Sequence, residues 1–187
     1  MGESTFQREE KLTLPQLQSF LWGSVKTLPG YDPLEFIEYI LGILCLKHLS
    51  DEFNEERESI VKYYLDKNKT QKQAEKFALQ KEQYTKSFFI PECARWDNLK
   101  HSIYDIGEKL NKATEAIEEQ NSTLKGALVS INFKFKKGLD ERWLKNLLTH
   151  FSSLRLNKSN FEQPDLLGTA TEYLIEQFAI SQGKRGI

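Results

Sequence analysis

Apolar residues recur at three- and four-residue steps along most of this chain, and the pattern predicts helix after helix. Leu17, Phe20, Leu21, Val25 and Leu28 form the first stripe. Thr13 and Gln16 have the spacing of a capping box at its start, Pro15 is tolerated in the first turn, and Pro29-Gly30 ends it. Asp32-Pro33-Leu34-Glu35 is a strong second start signal. The run after it, Phe36 to Phe53, is apolar on nearly every side and predicts a helix central in a bundle. After Ser50 the run turns acidic (Asp51, Glu52, Glu55, Glu56, Glu58), where the helix is expected to emerge into solvent.

Ile60 to Lys86 is rich in Lys, Gln, Glu and Ala, a helix-favouring mixture. Asn68 to Thr70 is a natural break, with Thr70 and Gln73 capping a second piece. Lys67, Lys69, Lys72, Lys76, Lys81 and Lys86 outnumber Asp66, Glu75 and Glu82 there. Such a face either touches phosphate or simply keeps the helix solvated. Ser87 to Ile90 predicts an extended segment or an isolated strand pair. Ile106, Leu110, Ala113 and Ile117 form a clean stripe on a helix ending near Asn121. Leu124 to Phe135 is mixed and reads as a loop or short strand. A helix over Asp140 to Ser153 buries Leu144, Leu147, Leu148 and Phe151. The last helical stretch, within Phe161 to Gly186, has Asp165 as N-cap. Leu167, Ala170, Leu174 and Phe178 form its stripe, widened by Leu166, Tyr173 and Ala179, and Gly183 is its stop. The fold class expected is all-α, an irregular bundle of six to nine helices with at most a minor short β element. Residues 1–12 are expected to be a flexible arm and 13–187 one helical domain.

Composition changes the picture mainly by exclusion. The 187 residues are 39% hydrophobic and 28% charged, ordinary for a globular protein. The formal net charge of −1 announces no global affinity for nucleic acid, so any contact with DNA must use a local patch. The first 13 residues are polar and mixed in charge, unlike a signal peptide. Phe36 to Leu49 is shorter than a membrane span and is interrupted by Glu38, Lys47 and His48. A cytoplasmic location with no membrane contact is the expectation. Cys45 and Cys93 read as reduced core thiols, with a disulfide or metal site as the alternative. His48, His101 and His150 lack ligand spacing and read as surface or core histidines.

Catalytic patterns are missing. The chain has no Pro-Pro pair, no GxGxxG or Walker loop, and no serine or cysteine in a nucleophile-elbow setting. No catalytic, cofactor-binding or metal-binding residue is assigned. Basic clusters are the remaining chemistry. Lys134, Lys136 and Lys137 are interleaved with Phe133 and Phe135, which suits either nucleic-acid binding or a loop with two core anchors. Lys184 and Arg185 lie beside the negative end of the last helix. Lys47 and Arg95 stand behind them as further candidates for phosphate. For Arg95, pairing with an acidic group is the competing expectation, and Trp96 reads as a core anchor.

Four blocks resemble a known family in its own order: LWG, GYDP and YILGILCLKHLSDEF within Leu21 to Phe53; PECARWDNL within Ile90 to Leu99; IGEKLNKATEAIEEQN over Ile106 to Asn121; and DLLG-x-A-x-EYLI-x-x-FA-x-x-x-GK-x-G within Phe161 to Gly186. They resemble the N-terminal helical domain of the modification subunit of type I restriction-modification systems, an adenine-N6 DNA methyltransferase. His48 departs from the commoner arginine of that pattern. In the family the S-adenosylmethionine site begins just after the last block, whereas here the sequence stops at Ile187. The resemblance therefore implies a non-catalytic domain whose methyltransferase partner domain is absent from this chain. It implies S-adenosylmethionine as cofactor of the full-length subunit. It also implies a specificity subunit, a second modification subunit, a restriction subunit and duplex DNA as partners. The expected role is DNA clamping and subunit assembly. The competing role, of a different class, is a protein-interaction module that docks the specificity subunit without touching DNA, and the near-neutral charge favours it. A free-standing enzyme has little support.

Overall fold

The computed structural model describes residues 11–26, 37–133 and 141–183. Among them the chain forms seven α-helices: α1 (Leu14–Val25), α2 (Ile37–Asp66), α3 (Gln71–Phe77), α4 (Trp96–Lys100), α5 (Ile106–Gln120), α6 (Glu141–Ser152) and α7 (Leu166–Gly183). The all-α expectation holds. The β element reduces to one parallel bridge, Leu12 with Phe161, and 87–90 forms no strand. Expectations placed on residues 1–10, on Leu28 to Phe36, on Phe135 and on Gly138 lie outside the described residues.

Local signals set most helix boundaries. The Gln16 side chain accepts the Thr13 N–H at 2.9 Å, and Gln73 repeats this with Thr70 at 3.0 Å. Asn68, at φ +58°, turns the chain between α2 and α3, a left-handed conformation that asparagine tolerates better than most residues. The expected stripes are buried, with Phe20 half-buried in the first: Leu17, Leu21 and Val25; Ile106, Leu110, Ala113 and Ile117; Leu144, Leu147, Leu148 and Phe151. In α7 the buried set is Leu166, Ala170, Leu174 and Phe178, while Leu167 is half-buried and Ala179 is exposed. Helix α7 lies against α1, and α2 runs through the middle against α3, α4 and α6. Trp22 meets Phe178 across the first pair with ring centres 5.9 Å apart. At Gly107 a Cβ would stand 2.7 Å from the Phe133 carbonyl oxygen, so the 133 backbone crosses α5 where only glycine leaves room.

The acidic part of α2 departs from expectation. It does not emerge into solvent at Ser50: Asp51 is buried and Phe53 is fully buried. Its carboxylates hold loops instead. Asp51 accepts the Leu156 N–H at 2.7 Å and Glu52 the Lys158 N–H at 2.5 Å. Glu55 accepts from the Ser159 hydroxyl. Glu56 takes the N–H groups of Thr85, Lys86 and Ser87 at 2.7–3.2 Å. In α5, Glu118 does the same for the N–H groups of Gly126, Leu128 and Val129 at 2.6–2.8 Å. Each carboxylate satisfies loop donors that have no regular secondary-structure partner.

These clasps imply a pH dependence. Burial acts to raise both carboxyls, but the backbone donors, joined at Glu56 by the Ser87 hydroxyl, outweigh it and hold Glu56 and Glu118 below the ordinary glutamate value of 4.5. Their stabilisation is complete above 4.5 and is lost as pH falls through the lower folded-state values. Glu118→Gln is expected to cost about 1–3 kcal/mol at neutral pH. It is also expected to flatten the loss of stability on acidification, measured as the urea midpoint against pH. An acid limb identical to that of the parent would reject the clasp.

Candidate nucleic-acid interface

Lys47 and Asp51 sit one turn apart on α2, at the meeting of α2, α4 and the end of α6. They form an ion pair, with Lys47 only 4% exposed. Burial pulls the Lys47 ammonium below the usual lysine range, Asp51 pushes it back up, and Arg155 and Lys100 add a smaller depression. Trp96 closes one side. Its backbone N–H donates to Ser50 Oγ and its indole N–H to Ser152 Oγ, both at 2.9 Å, so one residue stitches α4 to α2 and α6. The expected role of Trp96 as core anchor holds, and Lys47 Nζ lies 5.7 Å from its ring centre.

Above this pair opens a cleft of about 370 Å³. Its cations are Lys47, Arg57, Lys100 and Arg155, and its carboxylates are Asp51, Glu58 and Asp97. Lys100 pairs with Asp97 at 2.5 Å, and Arg155 with Glu58 at 2.9 Å. The Lys100 ammonium holds the Asp97 carboxyl below its ordinary value. Arg57 is the cation left over: its Nε is buried without a hydrogen-bond partner. The cleft is therefore largely self-neutralised, with one guanidinium able to accept an anionic group.

Of the candidates read from the sequence, Lys134, Lys136, Lys137, Lys184 and Arg185 lie outside the described residues. Lys47 is at the cleft floor, engaged by Asp51. Arg95 has no carboxylate partner among the described residues: its Nε donates to the Ile90 carbonyl at 3.3 Å and its guanidinium lies 5.2 Å from the Phe53 ring centre. Arg57, Lys100 and Arg155 were not singled out by sequence reasoning. Arg57 carries a faint signal as the lone cation among Glu55, Glu56 and Glu58. The Arg155–Glu58 contact spans 97 positions and leaves no local trace.

Other reactive groups are committed elsewhere. His48, His101 and His150 each give a ring N–H to a backbone carbonyl, of Leu156, Asp97 and Phe20 at 2.5, 2.7 and 2.9 Å. No group of three His, Cys, Asp or Glu among the described residues is placed to hold a metal. Both cysteines are free. Cys45 is half-buried with its thiol pushed up by burial, whereas Cys93 is exposed, which corrects its reading as a core thiol. Gly23, Gly42 and Gly107 face neighbouring side chains or backbone from within helices, and Gly126 sits in the loop held by Glu118. No helix among the described residues is long and apolar enough to cross a membrane.

Among known families, the model described as the HsdM N-terminal domain matches residues 17–151. No curated protein matches the chain.

Proposed function

From the premise that the chain belongs to the HsdM N-terminal domain family, hence to a type I restriction-modification modification subunit, we propose that this domain helps hold duplex DNA and assemble the type I complex. The observation that carries the reading is the family match across α1 to α6. In this reading the domain packs beside the specificity subunit, opposite a second modification subunit, with a restriction subunit in the full complex. S-adenosylmethionine and adenine-N6 methyl transfer belong to a catalytic domain of the full subunit in the cytoplasm, and base recognition belongs to the specificity subunit. The domain supplies sequence-independent contacts to phosphate, which are by nature salt-sensitive. Lys134, Lys136, Lys137, Lys184 and Arg185 are its candidate contacts, with Arg57 added from the cleft.

One observation favours a second reading, in which the domain docks the specificity subunit and never touches DNA. Three of the four cleft cations already have carboxylate partners, as suits a surface built to be neutral overall. The assembled complex is the system for the test. Charge reversal at Lys134, Lys136 and Lys137 is expected to weaken duplex binding at low salt while leaving assembly with the specificity subunit intact. Unchanged DNA affinity together with lost assembly would select the docking reading.

A further inference from the structure

Helix α2 is 30 residues long, and its C-terminal part, with α3 folded back on it, forms an arm. Tyr64 stacks on Phe77 at 4.0 Å between ring centres and donates to Gln83 Oε1 at 3.1 Å, which fixes the two helices together. The Tyr84 hydroxyl donates to the Ala78 carbonyl at 2.7 Å, and burial pushes its phenol up to about 12. Lys81 Nζ donates to the Gln120 carbonyl and ties the base of the arm to α5. The arm is ordered by its own aromatic contacts rather than by its charges.

Its charge is unlike the rest of the molecule. Residues 60–86 carry seven lysines against three carboxylates, a surplus of four, in a chain of net charge −1. Lys62, Lys67, Lys69, Lys72, Lys76, Lys81 and Lys86 are all exposed. Apart from Lys81 at the base, none of their ammonium groups makes an ion pair or hydrogen bond among the described residues. Lys69, Gln73, Lys76 and Gln80 recur at helical spacing and, with Phe77, line a groove of about 310 Å³ that contains no carboxylate. That separates it from the α2–α4–α6 cleft, where three acids stand among the cations.

We propose that the α2–α3 arm is a sequence-independent docking surface for the sugar–phosphate backbone of duplex DNA, centred on the groove lined by Lys69, Gln73, Lys76 and Gln80. The inference rests on the reading of the domain as part of a DNA-holding complex and assigns a surface to it. Lysine ammonium groups and glutamine amides donate to phosphate oxygens without reading bases. The arm has no arginine and so lacks the planar guanidinium fork that favours bidentate recognition. An acidic protein surface is the weaker match, because protein–protein interface cores are depleted in lysine and enriched in arginine. Tyr63, 57% exposed with Lys67 Nζ 5.7 Å from its ring centre, adds an exposed aromatic ring to the arm.

The test uses the assembled modification complex and two short duplexes of unrelated sequence. Combined Lys69→Gln, Lys72→Gln and Lys76→Gln keeps helix-forming side chains and removes three charges. Affinity for both duplexes is expected to fall about 10- to 100-fold at low salt, with the log–log salt slope between about 50 and 200 mM shallower by about 2–3. Glu75→Lys, which cannot act by removing a lysine contact, is expected to tighten binding and steepen the slope. Unchanged affinity and slope in both variants would overturn the arm while leaving the domain's DNA role intact. So would a folded triple variant that no longer assembles with the specificity subunit, since the arm would then be a protein contact. A parent complex that binds neither duplex would remove the DNA reading itself, and the arm with it.

Discussion

Asp51→Ala is expected to cost the fold about 3–5 kcal/mol, a large fraction of a domain's whole stability. The substitution strands Lys47, 4% exposed on the same helix, without its counter-charge. It also removes the acceptor of the Leu156 N–H, bound at 2.7 Å. Both groups are nearly excluded from solvent at the floor of the cleft, so water offsets little of either loss. Lys47→Met is expected to cost less, because it removes the buried ammonium and leaves Asp51 its backbone donor. The combined Lys47→Met/Asp51→Asn protein is expected to be more stable than the sum of its single changes, by about 1 kcal/mol or more. Urea unfolding of the four proteins measures this. A cost below about 1 kcal/mol for Asp51→Ala would mean that water reaches the pair and that the cleft floor is wetter than its burial indicates.

Phe53→Ala is expected to be about as damaging, at about 3–5 kcal/mol. Phe53 is fully buried where α2 leaves the bundle core and becomes the stem of the arm. Tyr84 stacks on it with ring centres 4.6 Å apart, Phe89 meets it edge-on at 5.7 Å, and Arg95 covers its face. Truncation leaves a cavity lined by two aromatic rings and the Arg95 guanidinium, which cannot all collapse into it. Phe53→Leu retains most of the volume and is expected to lose less than half as much. Denaturant midpoints at equal slope, with near-ultraviolet circular dichroism reporting tyrosine packing, distinguish the two. Equal losses for alanine and leucine would show that the ring's contact with Arg95, rather than its volume, carries the effect.

The residues around these two positions show how far the chain could be read in advance. Helix starts at Thr13 and Thr70 and the stripes of α5 and α6 were legible, because a cap or a 3.6-residue period is local chemistry. Trp96 was legible as an anchor, though its hydroxyl partners Ser50 and Ser152 were not. The fate of the α2 carboxylates was misread. Asp51 and Glu56 have the composition of a solvated face, yet their partners are N–H groups of loops, 105 positions away for Asp51. The acid that Arg95 was weighed against is not its neighbour among the described residues; it lies against Phe53 and a carbonyl.

By itself the sequence determined the helical class, the order of the helices, the break at Asn68 and the family, because each rests on neighbouring residues or on their order along the chain. It also held the lysine surplus of residues 60–86 in plain view. Only the tertiary structure decided which charges are spent and which are free. Lys47 and Lys69 are the same residue type, but one is buried against Asp51 and the other is exposed on a groove without carboxylates. The physical reason is that the state of a charge depends on the dielectric and the partners around it, and those are assembled from segments far apart in the chain.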